Sequence, residues 1–197
     1  MALKLVLLSA FAQTRLPDEI IVCDDGSGHE TALVVQQMKT QSPVPLMHVW
    51  QEDRGFRVAS SRNKAVVVST GDYIIQIDGD IIMHGSFISD HLALCRPGHY
   101  LKGGRVNLGE ELTERLCDEG RLPRINPFTR GIHSKGISAI HLPMLARLLA
   151  PRYAPKRLIA LACNSSFFRK DFMAVNGYDE SFEGWGHEDA DLFRRFM

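Results

Sequence analysis

Two short apolar runs that end in paired acids constrain this chain more than any other feature. Residues 19–23, apolar after Glu19, lead into Asp24 and Asp25, and residues 73–77, apolar apart from Gln76, lead into Asp78 and Asp80. Short runs of β-branched and aliphatic residues without alternation suit strands covered on both faces. Around them the pattern predicts helices over residues 2–13, 31–39 and 57–70, the last closed by Gly71, and an extended stretch over 46–51. Alternation of this kind implies an α/β domain with a parallel sheet between two layers of helices. After Pro123 the periods loosen. Strand-like pieces remain at 99–106 and 158–168, with a closing helix at 188–196.

In open α/β sheets ligands bind beyond the carboxyl ends of the strands, so both acid pairs are expected at one crevice. Asp-Gly alone is an ordinary turn dipeptide. Two acid pairs at equivalent strand ends make the functional reading the stronger one. The D-x-D spacing of Asp78 and Asp80 suits a hard divalent cation, Mg²⁺ or Mn²⁺, that shares its remaining positions with phosphate.

A third constellation lies near the end of the chain, NGYDESFEGWGHEDADLFRRF. Gly184 and Gly186 bend the chain around Trp185, and Glu188 and Asp189 open a helix that closes with Arg194 and Arg195. Acids first and cations last complement a helix dipole. Asp191 alone could serve that purpose, which leaves Glu188 and Asp189 for chemistry. An aromatic face beside two carboxylates suits a sugar, with the ring on its C–H face and the acids on its hydroxyls.

Bulk composition narrows the partners. The 23 basic and 23 acidic residues cancel, so no global field for a polyanion is indicated. No apolar run reaches the length of a membrane span. The four cysteines lack any C-x-x-C pairing and are expected as buried, reduced thiols. Between residues 120 and 170 there are ten cations and no acid, beside an apolar ridge of Leu142, Leu145, Leu148 and Leu149. Two readings compete there: a surface for an anionic membrane or a phosphate, and a solvated helix face beside a core-facing stripe.

The motifs PDEIIVCDDGS, QEDRGFRVASSRNKA, GDYIIQIDGD and NSSFFRKDFMAVNGYDESFEGWGHED, in this order across nearly the whole chain, resemble a family-two type glycosyltransferase of the GT-A fold. The last of them resembles the C-terminal region of galactosyltransferases. The resemblance implies a single domain with a mostly parallel central sheet. Residues 1–119 would form its nucleotide-sugar half and 120–197 its acceptor half.

The implied activity is metal-dependent, inverting transfer from a nucleotide diphosphate sugar, UDP-linked by expectation, to a glycan or lipid-linked acceptor hydroxyl. Asp25, with Asp24 beside it, would accept the N–H of the base. Gln51, Arg57 and Arg62 would border the nucleotide. Asp78 would contact the ribose or the Mn²⁺ or Mg²⁺ ion, and Asp80 would ligate that ion. Asp189 would be the general base, Glu188 would hold the acceptor, and Trp185 would wall the sugar site. His187 receives no role. An inactive sugar-nucleotide-binding protein on the same fold stays open as an alternative, as does a nucleotidyltransferase, which lacks its expected Gly-rich basic loop here.

The resemblance also bears on the two ends. Lys4, an apolar stretch and Ala10-Phe11-Ala12 can be read as a secretory signal, but an apolar region of about eight residues is short for one. A helix before the first strand fits the family better. It makes the protein cytoplasmic and not secreted, with contact to the inner membrane face left to the basic stretch. The family's first strand, expected between those ending at Asp24 and Asp78, has no counterpart, nor has a metal-binding His after the last helix. The chain is therefore expected to lack both, and to hold Mn²⁺ weakly. His84, His133 and His141 are substitutes by residue type only.

Overall fold

The computed structural model describes residues 2–149 and 163–197. The first half runs α1 (Ala2–Phe11), β1 (Ile20–Asp25), α2 (His29–Lys39), β2 (Leu46–Gln51), α3 (Val58–Val68), β3 (Tyr73–Ile77) and α4 (Phe87–Leu94). Shorter elements follow: β4 (Leu101–Lys102), β5 (Asn107–Leu108), α5 (Glu110–Glu119), β6 (Ile132–Ser134), a 3₁₀ turn (Gly136–Ala139) and α6 (Pro143–Leu149). The chain closes with β7 (Asn164–Phe168), α7 (Arg169–Ala174) and α8 (Glu188–Arg195).

α1 is part of the interior, as its apolar residues require. Leu7 packs with Val35, Met38 and Leu46 on one side, while Leu5 packs with Leu112 and Leu116 on the other. Two buried polar residues, Ser9 in the helix and Gln13 just beyond its end, explain themselves. Ser9 Oγ donates to Val6 O at 2.6 Å and accepts from Met83 N–H at 3.0 Å. Gln13 Nε2 donates to Ser9 O and His84 O, both at 2.9 Å, and its Oε1 accepts from Ile88 N–H at 3.1 Å. Both polar side chains are buried and satisfied, so they tie the helix to the loop that follows β3.

β1 and β2 form the parallel pair, with Ile20 opposite Leu46 and Asp25 opposite Gln51. α3 packs close to it because the helix offers Ala59, Ser60 and Ser61, small residues that are all buried. The second sheet has the order β3–β7–β4, and β7 runs antiparallel to both neighbours. An apolar run carries no strand direction, so this reversal was not written in the pattern. The strand pieces are also shorter than the sequence implies: 99–106 reduces to Leu101–Lys102. Of 158–168, Asn164–Phe168 is strand, and 158–162 lie outside the described residues. Among the described residues β1 pairs with β2 alone and β3 with β7 alone, so the strands expected to flank a further strand stand in separate sheets. The thiols are all free, but only Cys163 is buried; Cys23 is exposed.

Phe167 of β7 anchors the main core, with Ala59, Val66, Phe172, Tyr178 and Leu192. Beside it a buried polar network fixes β7. His91 of α4 meets Ser166 Oγ at 2.7 Å through Nδ1 and Asn164 Oδ1 at 3.1 Å through Nε2. Ser166 Oγ also meets Tyr73 OH at 2.7 Å. A Cβ at Gly103 would collide with the buried Asn164 amide, which is why glycine stands there. Burial lowers the His91 pKa to about 4 from the ordinary 6.5, although Asn164 and Asp90 pull the other way. The folded state therefore keeps His91 neutral where the unfolded chain would protonate it. Stability should fall as pH drops from about 6.5 toward 4, by a contribution on the order of 3 kcal/mol. Denaturant midpoints across this window should show a shallower fall in His91→Gln than in the native chain; equal slopes would exclude His91 as the source.

Candidate active site

α3 is the organising element, and three consecutive residues do the work. Successive helical side chains point about 100° apart, so Arg62, Asn63 and Lys64 reach three different places. Arg62 turns toward the acids: Nη1 donates to Asp189 Oδ1 at 2.8 Å and lies 3.6 Å from Glu188 Oε1, while Nη2 donates to Asp78 Oδ1 at 3.2 Å. The guanidinium sits 5.4 Å from the Tyr178 ring centroid. Its side chain is only 11% exposed. Burial works against its charge, but Tyr178, Asp189 and Asp78 more than offset this and raise its pKa. Asn63 holds the 176–180 turn, accepting Tyr178 N–H at 2.8 Å and donating to Tyr178 O and Glu180 Oε1 at 2.9 Å. Lys64 Nζ donates to Gln51 Oε1 at 2.7 Å.

The acids at the end of β1 divide, because neighbouring strand residues point to opposite faces. Asp24 is buried, with Oδ1 accepting Ser27 N–H and Oδ2 meeting His48 Nε2, both at 2.8 Å. Burial pushes its carboxyl upward, yet the Ser27 and His48 bonds leave it below the ordinary value. This carboxylate holds the turn after β1, away from the Arg62 cluster. Asp25 takes the other face. Its oxygens accept from Gln51 Nε2 at 2.6 Å and from the Arg57 backbone N–H, which joins the ends of β1 and β2 to the start of α3. The Arg57 guanidinium turns to Glu52 O. Gly26 follows with φ +88°, and a Cβ there would lie 2.5 Å from Asp53 Cα, so the turn accepts no side chain. Gln51, Asp25, Arg57 and Lys64 thus form one bonded patch.

Asp78 and Asp80 leave the end of β3. Burial raises the Asp78 carboxyl; Arg62 lowers it, and the negative charges of Asp80 and Asp189 raise it again. Asp80 is exposed and makes no hydrogen bond or ion pair among the described residues. It also lines a broad depression shared with His84, Arg105, His133 and Leu145.

The start of α8 completes the cluster. Arg195 binds Asp191 at 2.6 Å, one turn earlier in the same helix, so Asp191 serves the helix while Glu188 and Asp189 face Arg62. Glu188 is buried, and its Oε2 has no partner among the described residues. An unpartnered buried carboxylate oxygen is costly and suits a site that receives hydroxyls. His187 caps this helix with φ 76°, a left-handed conformation that few side chains adopt. Gly184 N–H donates to Phe56 O at 3.0 Å and fixes the preceding loop, from which Trp185 stands 89% exposed.

The structure therefore brings Arg62, Asp78, Glu188 and Asp189 together, with Asp80 close by. It places Asp25, Gln51 and Arg57 in the adjoining patch and Trp185 on the rim. Asp24 is held elsewhere. Asn63, Lys64 and Tyr178 were missed by sequence reasoning. The run of three long polar residues, R-N-K, between small and apolar residues of α3 was the available signal for the first two.

The same stretches match known proteins. The family model for Glycosyl transferase family 2 covers residues 2–141, and that for the N-terminal domain of galactosyltransferase covers 141–197. A validoxylamine A glucosyltransferase of Streptomyces hygroscopicus subsp. limoneus is 28% identical over 196 residues, covering 91% of this chain and 41% of that protein. A hyaluronan synthase of Pasteurella multocida is 24% identical over 200 residues, covering 94% and 20%. The chain spans less than half the length of these relatives. Among solved structures, the mannosyltransferase PcManGT from Pyrobaculum calidifontis, in complex with GDP-Man and Mn²⁺, superposes with a TM-score of 0.60. It is 15% identical, and the match covers all of this chain and 48% of that one. S. aureus TarS gives a TM-score of 0.60 at 16% identity, covering 99% and 31%. At such identities the likeness is one of fold, and that fold is the GT-A α/β fold. With 140 of its 197 residues inside the family match, this chain belongs to glycosyl transferase family 2.

Proposed function

We propose that this chain moves a hexosyl group from a nucleoside diphosphate sugar to an acceptor hydroxyl, with inversion at the anomeric carbon. One observation carries the reading: a single buried guanidinium, Arg62, gathers the D-x-D acid Asp78 and the helix acids Glu188 and Asp189 from distant parts of the chain. The names of the relatives, a validoxylamine A glucosyltransferase and a hyaluronan synthase, agree with hexosyl transfer. Uridine is the first base to test.

In this account Asp189 takes the acceptor proton as the new C–O bond forms at the anomeric carbon. The old C–O bond breaks on the opposite face, and its electron pair leaves with the diphosphate. Proton removal by a positioned carboxylate contributes about 10²–10⁴-fold. Glu188 holds the acceptor through its unpartnered oxygen, and Trp185 offers its ring to a sugar face. The patch of Asp25, Gln51, Arg57 and Lys64 receives the base and ribose. Arg62 is a positioning residue: its guanidinium bonds Asp189 and Asp78 and lies 3.6 Å from Glu188. We assign residues 1–119 to the donor and 120–197 to the acceptor.

The acids at the end of β3 fit a divalent cation. Asp78 and Asp80 supply hard oxygen donors; burial raises the Asp78 carboxyl first, and the neighbouring charges of Asp80 and Asp189, which a cation would relieve, raise it further. Asp80 and Asp78 would hold Mn²⁺ or Mg²⁺, which when bound neutralises the leaving diphosphate. Incubation of the protein with radiolabelled UDP-hexoses, Mn²⁺ and glycan acceptors tests the function. Label in the glycan supports it; UDP-sugar binding without transfer would point to an inactive binding protein, and formation of UTP and hexose 1-phosphate when pyrophosphate is added would point to a nucleotidyltransferase.

We further place the protein at the cytoplasmic face of an anionic membrane. No helix among the described residues is long and apolar enough to cross a bilayer. α6 buries none of its residues, and Met144 and Leu148 are 83% and 61% exposed beside Arg147. Of the expected ridge, Leu142, Leu145 and Leu148 are exposed and Leu149 is half-buried. Apolar side chains among cations suit an anionic interface. The protein should cosediment with vesicles containing phosphatidylserine at low salt and be released as salt rises; equal recovery with neutral vesicles would remove the charge argument.

A further inference from the structure

His84, Asp90 and His141 come from three separate segments: the loop after β3, the first turn of α4, and the link between the 3₁₀ turn and α6. Each offers a ligand atom, and these atoms all lie within 4.8 Å of one another. The two imidazole rings lie 4.4 Å apart at 37°, and His141 Nε2 meets Asp90 Oδ2 at 2.7 Å. We propose that this trio binds a zinc-class transition-metal ion that braces the start of α6 against α4, at a site separate from the Asp78–Asp80 pair.

The chemistry of the donors separates the two sites. Two imidazoles and one carboxylate are the donors that Zn²⁺ and Co²⁺ prefer, with a fourth position left for water. Asp78 and Asp80 offer only hard oxygens, which suit Mg²⁺ or Mn²⁺. Tetrahedral bonds of about 2.0–2.1 Å hold ligand atoms about 3.3 Å apart. The His141–Asp90 contact would open slightly from 2.7 Å, and the widest separation would close. His141 and Asp90 are 38% and 34% exposed, so small rotations meet little resistance. Two hydrogen bonds would be given up: the His141–Asp90 bond, and the 3.2 Å bond His84 Nδ1 accepts from Ser86 N–H. Metal–ligand bonds replace both.

A structural reason for such an ion exists. No residue of α6 is fully buried, so a bound ion would add a fixed point that its packing does not supply. His141 precedes the helix by two residues, where one fixed point would set its position.

The test uses the untagged protein, stripped with chelator and titrated with Co²⁺, whose tetrahedral complexes absorb in the visible. Native protein should bind one equivalent, with the absorption abolished by Zn²⁺. His84→Ala and His141→Ala should each weaken Co²⁺ binding by about tenfold or more. The double variant should lose the visible band, while Asp80→Ala keeps it. Circular dichroism of each variant reports on folding, and His141→Gln gives a second variant closer in size. Absence of a band in folded native protein would overturn the proposal. So would an unchanged band in the folded double variant. Loss of the band in Asp80→Ala would overturn it too, by assigning the ion to the acids at the end of β3.

Discussion

Asp189→Asn is expected to lower sugar turnover by about 10²–10⁴-fold while leaving nucleotide-sugar binding within a few-fold of the native chain. The substitution keeps the shape of the side chain, and its amide oxygen can still accept the bond from Arg62 Nη1 that now measures 2.8 Å. What it removes is the capacity to take a proton. A merely structural role at this position would show as a lower melting temperature with turnover scaled to the folded fraction. The expected signature is different: a fall in kcat at nearly constant Kd for the donor. Turnover within a factor of a few of native would take the role from Asp189. Glu188, whose Oε2 lacks a partner among the described residues, would then be the base to test.

Asp80→Ala is expected to remove the Mn²⁺-dependent part of nucleotide affinity, a loss on the order of 100-fold if a direct ligand matters at least as much as outer-shell partners do. The position makes this a clean experiment. Asp80 is exposed and holds no other side chain by hydrogen bond or ion pair among the described residues, so truncation should leave the fold intact. Its removal should also lower the Asp78 carboxyl, because one of the negative charges that raise it is gone. Calorimetric titration of UDP with and without Mn²⁺ reads the effect. Undiminished metal-dependent affinity would move the cation away from Asp80.

Much of the make-up of this site was legible in the sequence. The acids at the ends of β1 and β3 were found because a strand of continuous aliphatic residues must end somewhere, and polar residues there face a crevice. Glu188 and Asp189 were separable from the helix dipole because Asp191 was present, and the structure does pair Asp191 with Arg195. Asp24 and Asp25 could not be told apart by type. Only the alternation of faces along β1, with His48 waiting on one side and Gln51 on the other, gives them different surroundings. Arg62 was expected at the border of the nucleotide, and its bonds to Asp78 and Asp189 could not be read from the sequence. A helix register fixes direction only once the helix is docked, and α3 docks through its buried Ala59, Ser60 and Ser61. The direction of β7 was equally hidden, since Asn164–Phe168 reads the same in either orientation. The ridge of α6 was ambiguous in sequence for a related reason: amphipathicity shows that a face is apolar, not what covers it.

The central claim is that Arg62 gathers its acids for sugar transfer rather than for stability alone. It is tested most directly by incubating the native protein and Asp189→Asn side by side with a radiolabelled UDP-hexose, Mn²⁺ and an acceptor panel, then resolving the products and the anomeric configuration of the new linkage. The account predicts labelled glycoside of inverted configuration from the native chain and at least about a hundredfold less from the variant. Product of retained configuration, or equal yields from both proteins, would contradict it.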